Sequence, residues 1–245
     1  MQRYENIIYI IIIAALSTVA AFVLPGFFAI EDVSLYLTVT GLIYGLLAAF
    51  AIGVSWDRYS KVVENLHDEI SSETNMHLLL KHISDRKTAL KMDEQILNYL
   101  SNIMEIPWNK YFESENVHKK FRKMFDIFGR MELKTEKDSE LFDDIGDELE
   151  SASKARNQQI VLSTTPLSAS IWSLLLLLSG AVVVGVYLVA FSSPILGMFT
   201  KIIMSLSSFA ILLVLHQIDS LQLAEEKVDA LPNKAIEIIQ KEINR

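Results

Sequence analysis

Four stretches of this chain contain no Asp, Glu, Lys or Arg at all: residues 6–30, 33–56, 157–200 and 202–218. A bilayer core is crossed by a helix of about 20 predominantly apolar residues. The first two blocks therefore fit one spanning helix each, roughly Ile7–Leu24 and Val33–Val54. The last two hold a third span, roughly Leu167–Phe191, and a fourth, roughly Ile195–Leu215, separated at Ser192-Ser193-Pro194. The first block is longer than the apolar core of a secretory signal and is preceded by only Arg3 against Glu5, so it reads as an anchor rather than a cleaved leader. With 51% of residues from the set AVILMFWYC, the composition averages a membrane part and a hydrated part. A soluble globule is excluded. No cysteine is present, which removes disulfide scaffolds and thiolate metal sites. The 22 Lys and Arg against 30 Asp and Glu, a net charge of −8, argue against general nucleic-acid binding.

Basic residues in short flanking segments orient such a protein. The loop at residues 25–32 has none, and the one between spans three and four leads only to Lys201. Arg3, Arg58, Lys61, Lys154, Arg156 and Lys227 gather on the opposite side. Both termini and residues 57–160 are expected in the cytoplasm, in a multi-pass protein of the inner cell membrane. Residues 55–158 carry 16 basic and 21 acidic residues, so they form a hydrated domain, not a patch lying on the membrane. The fold class is all-α: four transmembrane helices and a helical cytoplasmic domain. The segments are 1–56 (helices one and two), 57–160 (cytoplasmic), 161–217 (helices three and four) and 218–245 (a helical tail interrupted at Leu231-Pro232).

Within the cytoplasmic segment the apolar residues recur with helical period. Tyr59, Val62, Val63, Leu66 and Ile70 continue span two inward as an amphipathic helix. Leu90, Leu97, Leu100 and Met104 mark a second helix that ends before Pro107. Val117, Phe121, Met124, Phe125 and Phe128 mark a third, and Phe142, Ile145, Leu149 and Ala152 a fourth. No alternating strand pattern is present.

Coupled pumps and voltage sensors need charges inside the membrane, and the spans hold none deeper than Lys201. A passive pore or a structural membrane protein is favoured over a pump, and no catalytic residue, cofactor or metal ligand set is expected. Span two carries two stripes of period four. Gly41, Gly45, Ala49 and Gly53 let another helix approach closely, and Thr38, Leu42, Leu46 and Phe50 run beside them. A helix that packs on neighbours while lining a pore has this pattern, and so does one packed on both faces in a four-helix bundle.

The run Gly41 to Phe50 followed by Trp56-Asp57-Arg58-Tyr59 resembles the second membrane helix of bestrophins and bacterial bestrophin-like proteins. These have a Gly, a Phe nine residues later, and an aromatic-x-Arg-aromatic cluster at the membrane exit. Asp219 through Asp229-Ala230-Leu231-Pro232 is similar to the acidic and Leu-Pro region after their fourth span. Ala51 stands where that pattern has Arg, and Ser220-Leu221 where it has Pro-Phe. The resemblance implies a homo-oligomeric ion channel, five subunits by analogy with four as the alternative. Its second helices would surround the pore, with Leu42 and Leu46 as an apolar neck flanked by Thr38 and Phe50. Small ions and the lipid bilayer are the implied partners. Anion conduction is one selectivity such a channel can have, although no basic ring stands near the neck.

Lys119, Lys120, Arg122 and Lys123, with Arg130 beyond, interleave with Phe121 and Phe125 and have the composition of an anionic-ligand site. On a helix, however, the aromatics take one face and Lys119, Lys123 and Arg130 the other, as in any core stripe backed by a solvated face. Asp143-Asp144, Asp147-Glu148 and Glu150 lack calcium-loop spacing. His216 lies near Asp219 at the inner end of span four. Two further readings remain: an effector of bacterial antiviral defence or stress, opened by an anionic cytoplasmic nucleotide, and a non-conducting membrane scaffold.

Overall fold

The computed structural model describes residues 12–13, 15–21, 23, 26–106, 111–112, 114–221 and 230–243. Among them, seven helices and one short strand pair are delimited, and they fall into two compact units. One unit is Met1–Trp56 with Leu167–Asp219, and the other is Asp57–Pro166 with Ser220–Arg245.

In the first unit, β1 (Phe28–Ala29) leads into helix α1 (Ile30–Leu80), whose residues up to Trp56 belong here. α5 (Ala169–Leu188), β2 (Val189–Ala190) and α6 (Pro194–Asp219) complete it. Three helices are long and apolar enough to cross a membrane: α1 from Val33, α5 and α6. In α1 the charge-free stretch ends at Trp56, and the residues beyond it are charged and amphipathic. The remaining expected span, Ile7–Leu24, lies partly outside the described residues; its described positions 12–13, 15–21 and 23 are helical. Ser168 caps α5 by accepting from the Ile171 N–H, and Ser192-Ser193 breaks the chain before Pro194 opens α6. Pro at a first helical position forfeits a backbone donor that has no partner there anyway.

The core of this unit is Tyr44, Ala48 and Ala51 of α1 with Leu175, Val182 and Leu215. Tyr44 donates its hydroxyl proton to the Ser208 carbonyl at 3.1 Å. The two strands pair in parallel, Phe28 with Val189 and Ala29 with Ala190, and the Phe27 N–H donates to the Leu188 carbonyl at 2.9 Å. No alternating pattern announced this bridge, because two residues per strand are too few for a period to show. It depends on Gly26, where a Cβ would lie 2.2 Å from the Val189 carbonyl oxygen.

The second unit holds the rest of α1 with α2 (Arg86–Glu105), α3 (Glu115–Phe128), α4 (Glu136–Ser163) and α7 (Ala230–Ile243). Asp85, Ser114 and Thr135 cap α2, α3 and α4, the last through a reciprocal box with Asp138. α2 packs on α3 and α7. The stripes expected on α3 and α4 are the buried ones at Val117, Phe121, Met124, Ile145, Leu149 and Ala152. Phe125 is exposed, and Phe128 stacks on Phe142 with centroids 4.1 Å apart. On α2 the expected face is displaced. Leu90 is exposed and Leu97 and Met104 are half-buried, whereas Met92, Ile96, Tyr99 and Ile103 join Leu100 in the interior. Buried Asp93, Gln95 and Asn102 disguise that face in the sequence. Leu231-Pro232, where the sequence places an interruption of the tail helix, lies in the first turn of α7, and residues 222–229 before it are outside the described ones.

Candidate pore helix and buried carboxylate network

α1 carries the two stripes of the sequence analysis. Within the chain, the side of α1 that packs is the line Tyr44, Ala48, Ala51 and Ser55. Ala51, where the bestrophin pattern has Arg, is fully buried in that line. Leu42, Leu46 and Phe50 point away from it, 63%, 65% and 63% exposed, and Thr38 is exposed with them. Gly45, Ala49 and Gly53 are exposed and Gly41 half-buried. A Cβ added at Gly41, Gly45 or Gly53 would meet no described atom within 4 Å. Among the described residues both stripes are thus largely open, and neither belongs to the buried core of this unit.

At one end of the membrane-spanning helices, Asp219 collects donors from three segments. The Leu167 N–H and the Trp172 Nε1–H each donate at 3.0 Å, and the Ser55 hydroxyl at 3.5 Å. The Trp172 ring meets the His216 ring edge-on, with centroids 6.1 Å apart. One carboxylate therefore ties α1, the entry to α5 and the end of α6.

The second unit contains a network that the hydrophobic pattern missed. Val62, Leu66, Glu69, Glu73, Met76 and Leu80 of α1 follow one another by alternating steps of four and three, and all six are fully buried. The signal is visible in retrospect: two Glu occupy core positions of an otherwise apolar stripe. Glu69 accepts from the Tyr99 hydroxyl, from Gln159 Nε2 at 2.6 Å and from the Tyr111 hydroxyl at 3.4 Å. Arg156, 4% exposed, lies 3.5 Å from Glu69. Its Nη1 donates to the hydroxyls of Tyr99 and Tyr111, the latter at 2.7 Å. The guanidinium carbon sits 5.2–5.5 Å from the ring centroids of Tyr99, Tyr111 and Phe121. Its Nη2 donates to His118 Nδ1 at 3.2 Å, and the imidazole bonds the Phe112 carbonyl through Nε2 at 3.1 Å. That arrangement requires the neutral Nε2–H tautomer. Burial first, and then the charge of Arg156, hold the His118 pKa below its ordinary value. Burial raises the Glu69 carboxyl, with Arg156 and the hydrogen bonds opposing it. Nearby, His77 pairs with Asp93 at 2.9 Å.

The five cations expected at an anionic-ligand site are engaged separately or exposed. Lys119 pairs with Glu115 at 3.0 Å, and Lys120 reaches the Asn98 carbonyl at 3.5 Å. Arg122, Lys123 and Arg130 are exposed. Asp143, Asp144, Asp147 and Glu150 are exposed as well, and Glu148 accepts from Asn75 at 3.0 Å. A cleft of about 840 Å³ in this unit is lined by other residues, among them Lys61, Asn65, Asp68, Lys154, Asn157 and Gln158.

Solved structures share this architecture. A bacterial bestrophin homologue from Klebsiella pneumoniae is similar with a TM-score of 0.72 at 8% identity, over 93% of this chain and 98% of that one. Two variant structures of a Klebsiella pneumoniae homologue give TM-scores of 0.71 at 8% identity, covering 92% and 98% of the two chains, and 0.69 at 10%, covering 91% and 98%. At such identities the likeness establishes the fold alone. No curated protein matches the chain. The family model of the bestrophin-like domain matches residues 8–221. The chain therefore belongs to the bestrophin-like family, whose members are membrane-embedded oligomeric ion channels rather than enzymes.

Proposed function

We propose that this protein is an oligomeric ion channel whose pore is lined by α1, with Leu42 and Leu46 as its neck and Thr38 and Phe50 on either side. The observation that carries the reading is the exposed line Leu42–Leu46–Phe50, which the chain's own core leaves uncovered in a protein of a channel family. Gly41, Gly45, Ala49 and Gly53, open beside it, are the surface for a neighbouring copy. An apolar ring gates by dewetting: its lining offers no hydrogen bonds to a partly dehydrated ion, so water and ions leave a narrow neck together.

Unitary currents of the purified protein in planar bilayers test this. Leu46→Ser widens the ring and lowers its wetting cost, so conductance and open probability rise relative to wild type. If Leu46→Ser alters the size-exclusion profile and leaves conduction unchanged, the line packs against protein and the pore lies elsewhere. A wild type without currents over a range of ions, voltages and pH favours the scaffold reading.

A further inference from the structure

Glu73 stands one turn from Glu69 and has none of its partners. Its side chain is fully buried, and neither carboxyl oxygen finds a hydrogen-bond partner among the described residues. The ionisable groups around it come from five segments. Glu69 precedes it on α1, and Tyr99 on α2, Arg156 on α4 and Tyr111, between α2 and α3, interact with it electrostatically. His118 on α3 is bonded to Arg156, and His77, one turn further along α1, pairs with Asp93 of α2. The charges do not balance: among the described residues one buried cation, Arg156, acts on two buried carboxyls, and its ion pair is with Glu69.

An ionised carboxylate without a partner is not sustained in a protein interior; the group takes up a proton instead. We propose that Glu73 is a proton-binding site whose occupancy holds α1 to α2 and α4, so that this unit loosens as the surrounding pH rises. Burial first, and then the charge of Glu69, push its carboxyl well above the ordinary range, with Arg156 opposing. Below the ordinary carboxylate range the folded and unfolded chains both hold the proton. Above it the unfolded chain releases the proton and the folded one keeps it. The folding constant of the unit then falls about tenfold per pH unit until folded Glu73 itself ionises, where the loss is complete. The site does not depend on conduction, and a chain that passes no ions would show it equally.

The test uses the full-length protein in detergent with ¹³C-labelled Glu. Infrared spectra should show a protonated-carboxyl band at neutral pH that disappears on alkaline titration and is missing from Glu73→Gln. Amide protection factors over residues 66–80 should fall in wild type as pH rises toward that titration and level off beyond it. In Glu73→Gln, and in the apolar Glu73→Met, the protection factors should not fall with pH in this way, and at neutral pH they should equal or exceed those of wild type. Three results overturn the proposal: no such band in wild type, the same pH dependence in both variants as in wild type, or both variants less protected than wild type at neutral pH. The last would mean that the native group is charged and stabilising.

Discussion

Arg156→Met removes the cation at the centre of the second unit. The arginine makes one ion pair, two hydrogen bonds to tyrosine hydroxyls and one to His118, all at 4% exposure. Methionine retains much of the apolar volume between the rings, so the loss is chiefly electrostatic. Removing one partner of a buried pair costs about 3–5 kcal/mol, because the other charge stays behind uncompensated. That equals about two to three and a half decades in an equilibrium constant. Glu69→Gln should cost less, since without the charge of Glu69 the nearby Glu73 can ionise and compensate Arg156. The double variant should recover about 2 kcal/mol relative to the sum of the single ones, within the range found for contacting charged pairs. Amide exchange of α2 and α4 in the full-length protein measures all three. The cost of Arg156→Met should also shrink on acidification, when Glu69 takes up a proton. Additivity within about 0.5 kcal/mol, or a costlier Glu69→Gln than Arg156→Met, would refute the picture of one cation shared by two buried carboxyls.

Three further outcomes are expected. Asp138 accepts from the Ser84 N–H at 2.9 Å and from the N–H groups of Lys134 and Thr135, and these bonds hold its carboxyl well below the usual range. Its contribution is present above the ordinary carboxylate range and is lost as pH falls through the depressed folded value. Asp138→Asn should flatten the acid limb of thermal unfolding followed by circular dichroism, and an unchanged acid limb would rule this tie out. Asp219→Ala leaves the Leu167 and Trp172 donors without their acceptor and should cost about 1.5–3 kcal/mol, read as a lower melting temperature of the detergent-solubilised protein by tryptophan fluorescence. Gly45→Leu fills the open face of α1 and should shift the size-exclusion profile from oligomer to monomer. A wild-type profile would show that this stripe faces lipid or the pore.

The legible part of the fold was the part that solvent dictates. Charge-free blocks marked α5, α6 and the first half of α1, and the spacing Tyr59, Val62, Leu66 and Ile70 foretold its inward continuation, which runs on to Leu80. Sequence patterning failed where polar residues are buried with partners. Asp93 belongs to the core because His77 meets it, and Gln95 because its Nε2 reaches the Lys120 carbonyl at 2.7 Å. A reading that scores Asp and Gln as surface turns α2 the wrong way, toward Leu90 and Leu97. Glu69 and Glu73 hid for the same reason. The stripes of α1 were legible as stripes, and the single chain buries a third line, Tyr44, Ala48 and Ala51, which plain small-residue spacing does not single out.

The parallel pairing of Phe28–Ala29 with Val189–Ala190 has a consequence for biogenesis. The two halves of that bridge leave the ribosome far apart in time, since Asp57–Pro166 of the second unit is translated between them. The loop before α1 therefore enters the bilayer with backbone groups whose partners do not yet exist, and it has to wait at the wet interface until α5 arrives. A chain arrested after α4 would hold the loop before α1 with its Phe27 donor and the edge at Phe28–Ala29 unpaired.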